Sequence, residues 1–205
     1  MLVCVNEVVP VHGLINRALQ CFIRDTSGPE AWAAVARSAE LGFDGFESMM
    51  TYPAAVTDRV IAVALQRLDR PRDSFLEDFG TYLVSHPNLE PVRRLLRFGG
   101  VSFVDFLDSL EDLPERGRLA VPTLNLPEME LTDLGAGMFG LTCAHQIEGA
   151  GHVIVGLLRA MADDYGALVV LEHLGLDQGR ECISVHLLDQ KHWSGKRFDL
   201  AARLS

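Results

Sequence analysis

Cys143 and His145 are the first side chains to test for chemistry, because they stand two residues apart in M-F-G-L-T-C-A-H-Q-I, where alternating apolar residues predict a strand. Side chains at that spacing on a strand point the same way, so both face the side that carries Phe139 and Leu141. Sulfur and imidazole nitrogen together suit a transition metal. The same pattern fits a small core cysteine followed by a polar residue at the strand's end. His12 opens a helix and His86 precedes Pro87 at the end of another, so each is either a further donor or a helix-terminus residue. His152 begins a third helix, whose positive end favours a neutral ring. His173 and Cys182 supply two donors where a closed zinc site needs four, so no zinc is expected.

Catalytic signatures are missing from the chain. G-A-G-M-F-G at 135–140 falls in a hairpin and not at a strand-to-helix turn, and there is no H-E-x-x-H or G-x-S-x-G. The acidic pairs Glu111/Asp112 and Asp163/Asp164 are adjacent in sequence, so on a helix they diverge into solvent. The chain reads as a non-enzyme.

The elements that position these residues fall into two styles. Apolar residues at Leu14, Ile15, Leu19, Phe22 and Ile23 have helical spacing, and further helices are predicted over 31–41, 57–68, 74–84, 89–97 and 102–113. Beyond a linker bracketed by Pro122 and Pro127 the pattern alternates: a hairpin over 128–144, a helix over 149–164, and strands A-L-V-V-L-E-H and C-I-S-V-H-L-L. This is an α+β order.

A chain of 205 residues, 48% of them hydrophobic, can bury one substantial core or two small lobes. Its longest apolar stretch, 153–158, stops at Arg159, well short of the ~18 residues a membrane span requires. The start has no basic n-region, and the four scattered cysteines suit a reducing cytoplasm. A net charge of −10 argues against nucleic acid or an anionic membrane surface as partner.

Several segments, in order, resemble heme nitric oxide/oxygen-binding (H-NOX) domains, including the sensor domain of soluble guanylate cyclase. They are G-P-E-A-W at 28–32, S-F-L-E-D-F-G-T-Y-L-V at 74–84, F-V-D-F-L-D-S-L-E-D-L-P-E-R-G-R-L at 103–119, and G-H-V-I-V-G-L-L-R-A-M-A-D-D-Y at 151–165. The resemblance covers about 11–188. It implies an H-NOX-like α+β fold, with a helical distal lobe over about 11–70 and a proximal lobe of helices and antiparallel sheet over about 71–188. Residues 1–10 are then an N-terminal extension and 189–205 a C-terminal tail. It also implies a cytoplasmic gas sensor that holds heme between its lobes and signals to a separate effector, such as a histidine kinase or a cyclic-dinucleotide enzyme.

Two positions depart from the family's pattern. Pro114 stands where the iron-ligating histidine belongs; it has no lone pair for iron, and it should end or kink the helix there. The family's Tyr-x-Ser-x-Arg, which fixes the heme carboxylates, reads Cys143, His145 and Ile147. Two versions of a sensor stay open: heme held by a non-standard ligand, His145 or Cys143 first and His12 or His86 from the distal side, or a heme-free cavity for another apolar ligand. A third reading is a protein-interaction module that keeps the fold with its cavity filled by side chains.

Overall fold

The first helix, α1 (Gly13–Ser27), begins where His12 Nδ1 accepts the Leu14 N–H (3.2 Å), so an imidazole satisfies one of the orphan donors of the first turn. It ends at Gly28, whose φ of 93° suits glycine, and Pro29 then opens α2 (Pro29–Ser38), where a missing N–H costs nothing. These coordinates are a computed structural model, which describes residues 10–190. Residues 1–9 and 191–205, which hold most of the expected extension and tail, lie outside the described residues.

A two-stranded ladder, β1 (Val11–His12) with β2 (Thr51–Tyr52), ties the start of α1 to the loop that precedes α3 (Ala54–Leu68). Helix α4 (Arg72–Ser85) follows, then a 3-10 turn at Pro87–Leu89 and α5 (Glu90–Arg97). Leu19, Phe22 and Ile23 of α1, Val60 and Ile61 of α3, and Phe75, Leu76 and Phe79 of α4 form one buried core. Phe22 meets Phe75 edge to face at 5.2 Å.

The second core lies between a sheet and a long helix. Strands β3 (Glu128–Gly135), β4 (Met138–Ala144), β5 (Leu168–Asp177) and β6 (Arg180–Asp189) form an antiparallel sheet in the order β3-β4-β6-β5. Phe139, Leu141, Cys143, Ile183 and Val185 alternate onto its inner face, against α8 (Ala150–Tyr165). The α+β expectation holds. No helix among the described residues is long and apolar enough to cross a membrane.

One expected helix, over 102–113, is two short ones in the structure. Ser102 caps α6 (Phe103–Asp108) in a reciprocal box with Asp105, and the helix ends after two turns. Pro114 then sits in the first turn of α7 (Leu113–Ala120), a position that tolerates proline because its N–H would have had no partner. Pro114 therefore opens a helix and does not end one.

The two cores meet where α4 crosses α8, and two glycines set the distance between them. A Cβ on Gly80 would land on the Val153 carbonyl oxygen, and one on Gly156 would land on the Glu77 carbonyl oxygen. Thr81 Oγ1 donates to the Gly156 carbonyl across the same contact (3.2 Å), and Arg159 reaches Glu77 at 3.1 Å. Close packing against α8 accounts for Gly80. Gly80→Ala and Gly156→Ala should each lower stability by about 1–3 kcal/mol through overpacking, although an ordinary helical Gly→Ala change stabilises. Thermal unfolding checks this: an unchanged or raised Tm for both variants would show that the crossing tolerates a methyl group.

Candidate ligand cavity

A cavity of about 300 Å³ lies at the junction of the two cores. Leu14, Leu19, Ile61 and Phe79 line it from the first core, and Leu96, Leu113, Met129, Ile154 and Leu157 from the second. The loop between α7 and β3 closes one side with Leu124, Leu126 and Pro127. Only Thr57 and His145 among the lining side chains carry nitrogen or oxygen. Thr57 Oγ1 is already committed as a donor to Asn16 Oδ1 (2.7 Å, buried).

His145 is the remaining polar group. Its Nδ1 accepts the Ile147 backbone N–H at 3.1 Å, and its Nε2 is buried with no hydrogen-bond partner. Burial holds the ring's pKa below the usual histidine value, and the nearby Asn125 backbone and the Glu181 charge offset this only in part. The Asn125 backbone is close enough to favour a protonated ring but does not reach hydrogen-bonding geometry with Nε2. The ring is therefore neutral near pH 7.

The structure separates the residues that the sequence grouped together. Pairing of β4 ends at Cys143 on the β6 side and at Ala144 on the β3 side, so His145 leaves the strand and lines the cavity while Cys143 stays in the core under α8. Burial, with the Glu181 charge adding to it, pushes the Cys143 thiol up to about 12, so it carries no thiolate for a metal. Ile147 does line the cavity, as an apolar wall. His12 is buried at the start of α1, and His86 stacks on Tyr82 (ring centroids 4.5 Å) with Nε2 3.5 Å from Asp25 Oδ2; neither is among the residues that line the cavity. Pro114 is buried in α7 and off the cavity, and its neighbour Leu113 takes the lining position.

His173 and Cys182 also part company. His173 Nε2 lies 2.8 Å from Glu181 Oε2, which in turn accepts the Gly151 N–H (3.0 Å) in the first turn of α8, and the ring stacks on His152 at 4.0 Å. Cys182 Sγ faces the Arg180 carbonyl (3.8 Å). No group of three or more His, Cys, Asp or Glu able to hold a metal occurs among the described residues. Sequence reading missed Thr57, Asn16 and the 124–127 wall, which carry no recognisable motif.

The family described as Haem-NO-binding matches residues 12–173. The chain belongs to this family. Among curated relatives, soluble guanylate cyclase 89Db of Drosophila melanogaster is 20% identical over 84% of the chain, and soluble guanylate cyclase gcy-31 of Caenorhabditis elegans is 21% identical over 92%. The chain spans about a quarter of their length, 26% and 27%. Two solved structures share the fold: an H-NOX protein from S. oneidensis in the Fe(II)NO state, with a TM-score of 0.74 at 15% identity, and one from K. algicida in the unliganded Fe(II) state, with 0.73 at 16%. They cover 87% and 90% of this chain, and each is matched over its full length, 100%.

The residues present do not fit the family's heme. No Lys or Arg lines the cavity to neutralise a porphyrin carboxylate, and Ile147 contributes only hydrocarbon. His145 Nε2 could bond to iron only if its proton moved to Nδ1, which would break the hydrogen bond from Ile147. The lowered pKa has its own consequence. The unfolded ring titrates near ~6.5, so on acidification through that value the unfolded state takes up a proton that the folded state refuses, and stability falls. Wild-type protein should therefore lose more Tm between about pH 7.5 and 5.5 than the His145→Leu variant. Equal losses in the two proteins would remove His145 as the cause.

Proposed function

We propose that this H-NOX domain is a sensory or regulatory module that binds a small apolar molecule in its interlobe cavity and passes the binding event to a separate effector. The observation that carries this reading is the cavity itself, open to about 300 Å³ and walled by both cores. That volume lies at the lower end of small-molecule sites, which bury most of their ligand against apolar side chains. Burial on such a wall contributes about 25 cal/mol per Å² of apolar surface removed from water. A ligand there touches α1, α3 and α4 together with α5, α8 and the 124–127 loop. Its binding therefore bears on how the two cores sit against each other, which is the differential contact a two-state signal needs.

An interaction module without small-molecule sensing would fill this space with side chains, and the open cavity favours the sensory reading over it. The effector is proposed to be of the histidine-kinase or cyclic-dinucleotide class, on family resemblance. A reducing cytoplasmic setting is in keeping with the unpaired Cys21, Cys143 and Cys182. Catalysis is not part of the proposal.

Titration with N-phenyl-1-naphthylamine, a neutral fluorophore that brightens in apolar surroundings, tests the reading. Saturable one-to-one binding is expected, with a loss of at least about tenfold in Ala18→Phe, which fills the cavity from α1. Binding that ignores Ala18→Phe would place the probe elsewhere. Expression with heme supplied gives the second arm: a Soret band that disappears in His145→Ala would replace this reading with heme ligated at that residue.

A further inference from the structure

Both polar side chains in the cavity wall are withdrawn from its interior. Thr57 is buried, and its Oγ1 gives its proton to Asn16 Oδ1 (2.7 Å). His145 Nδ1 accepts the Ile147 N–H (3.1 Å), and Nε2 is buried beside the Asn125 backbone, so what the ring can show a ligand is carbon. The rest of the lining is Leu, Ile, Val, Ala, Phe, Pro and Met side chains.

A molecule that enters this space leaves water and meets hydrocarbon on every side. Each methylene buried there is favourable, whereas each hydroxyl, amine or carbonyl gives up its hydrogen bonds to water and finds none in return. The wall therefore ranks ligands by the polar groups they lack.

We propose, resting on the ligand-binding reading above, that the cavity selects pure hydrocarbons, molecules of one or two rings with no hydrogen-bonding group. Volume sets the size: the cavity is about twice the ~150 Å³ space that takes up benzene. Such a molecule offers nothing to recognise except its shape and its apolar surface, and a wall drawn from both cores reads those two properties. Amphiphiles are selected against, because a carboxylate would have to find its partner outside a lining that holds no Lys or Arg.

Three probes of nearly equal size test the proposal, each titrated into the full chain and followed by the Leu and Ile methyl signals in NMR spectra. They are para-cymene, para-tolyl methyl carbinol, in which a hydroxyl replaces one methyl group, and para-toluate, in which a carboxylate replaces the isopropyl group. The affinity ratio of para-cymene to the carbinol should approach the ratio of their partition from water into cyclohexane, where nothing pairs with the hydroxyl. It should thereby exceed the corresponding octanol ratio by about a hundredfold or more, since octanol does supply a hydrogen-bond partner. Para-toluate should bind more weakly than the carbinol, and Ala18→Phe should remove para-cymene binding. An affinity ratio nearer to the octanol value would overturn the proposal. So would tighter binding of para-toluate than of the carbinol, or para-cymene binding that ignores Ala18→Phe. The wild-type ratio needs no variant to fold. If the naphthylamine fluorophore binds and para-cymene does not, this proposal falls alone; if neither binds, the ligand-binding reading falls and takes this one with it.

Discussion

The backbone of α4 rests on the backbone of α8, and most of the molecule is arranged around that contact. Gly80 and Gly156 sit at reciprocal positions in it, each facing a carbonyl of the other helix where a methyl group would not fit. Because α8 lies between α4 and the sheet, the same helix closes the second core on one side and joins the first on the other. Polar ties reinforce the crossing along its length: Thr81 to Gly156, Arg159 to Glu77, and Arg72 to the Glu148 carbonyl (2.7 Å). The cavity lies beside this crossing, lined by Phe79 and Leu83 of α4 and by Val153 and Leu157 of α8.

The wall of the cavity is apolar apart from Thr57 and His145. Ile147 extends the apolar wall, and Leu113 does the same beside Pro114. Thr57 is turned away from a ligand by its bond to Asn16.

Much of this was legible before any coordinates. Period-two alternation located β3 and β4, and a strong 3.6 period located α8, because each of those elements buries one face and leaves the other wet. Helix α7 was not legible, since its eight residues, L-P-E-R-G-R-L-A, bury only Leu113, Pro114 and Gly117 and show no apolar stripe. The divergence of Cys143 and His145 was hidden for a different reason. Strand parity predicts a shared face only while the ladder continues, and β4 ends at Ala144, one residue before His145. The cavity wall at 124–127 likewise depends on packing between lobes, which local pattern does not encode.

Cys143 stands apart from the other free cysteines described. Held in the protonated form under α8, its thiol offers no thiolate to peroxide, to nitrosating species or to electrophiles. Cys21 and Cys182 are only half-buried, so thiol chemistry with the surroundings falls to them first and leaves the core under α8 untouched.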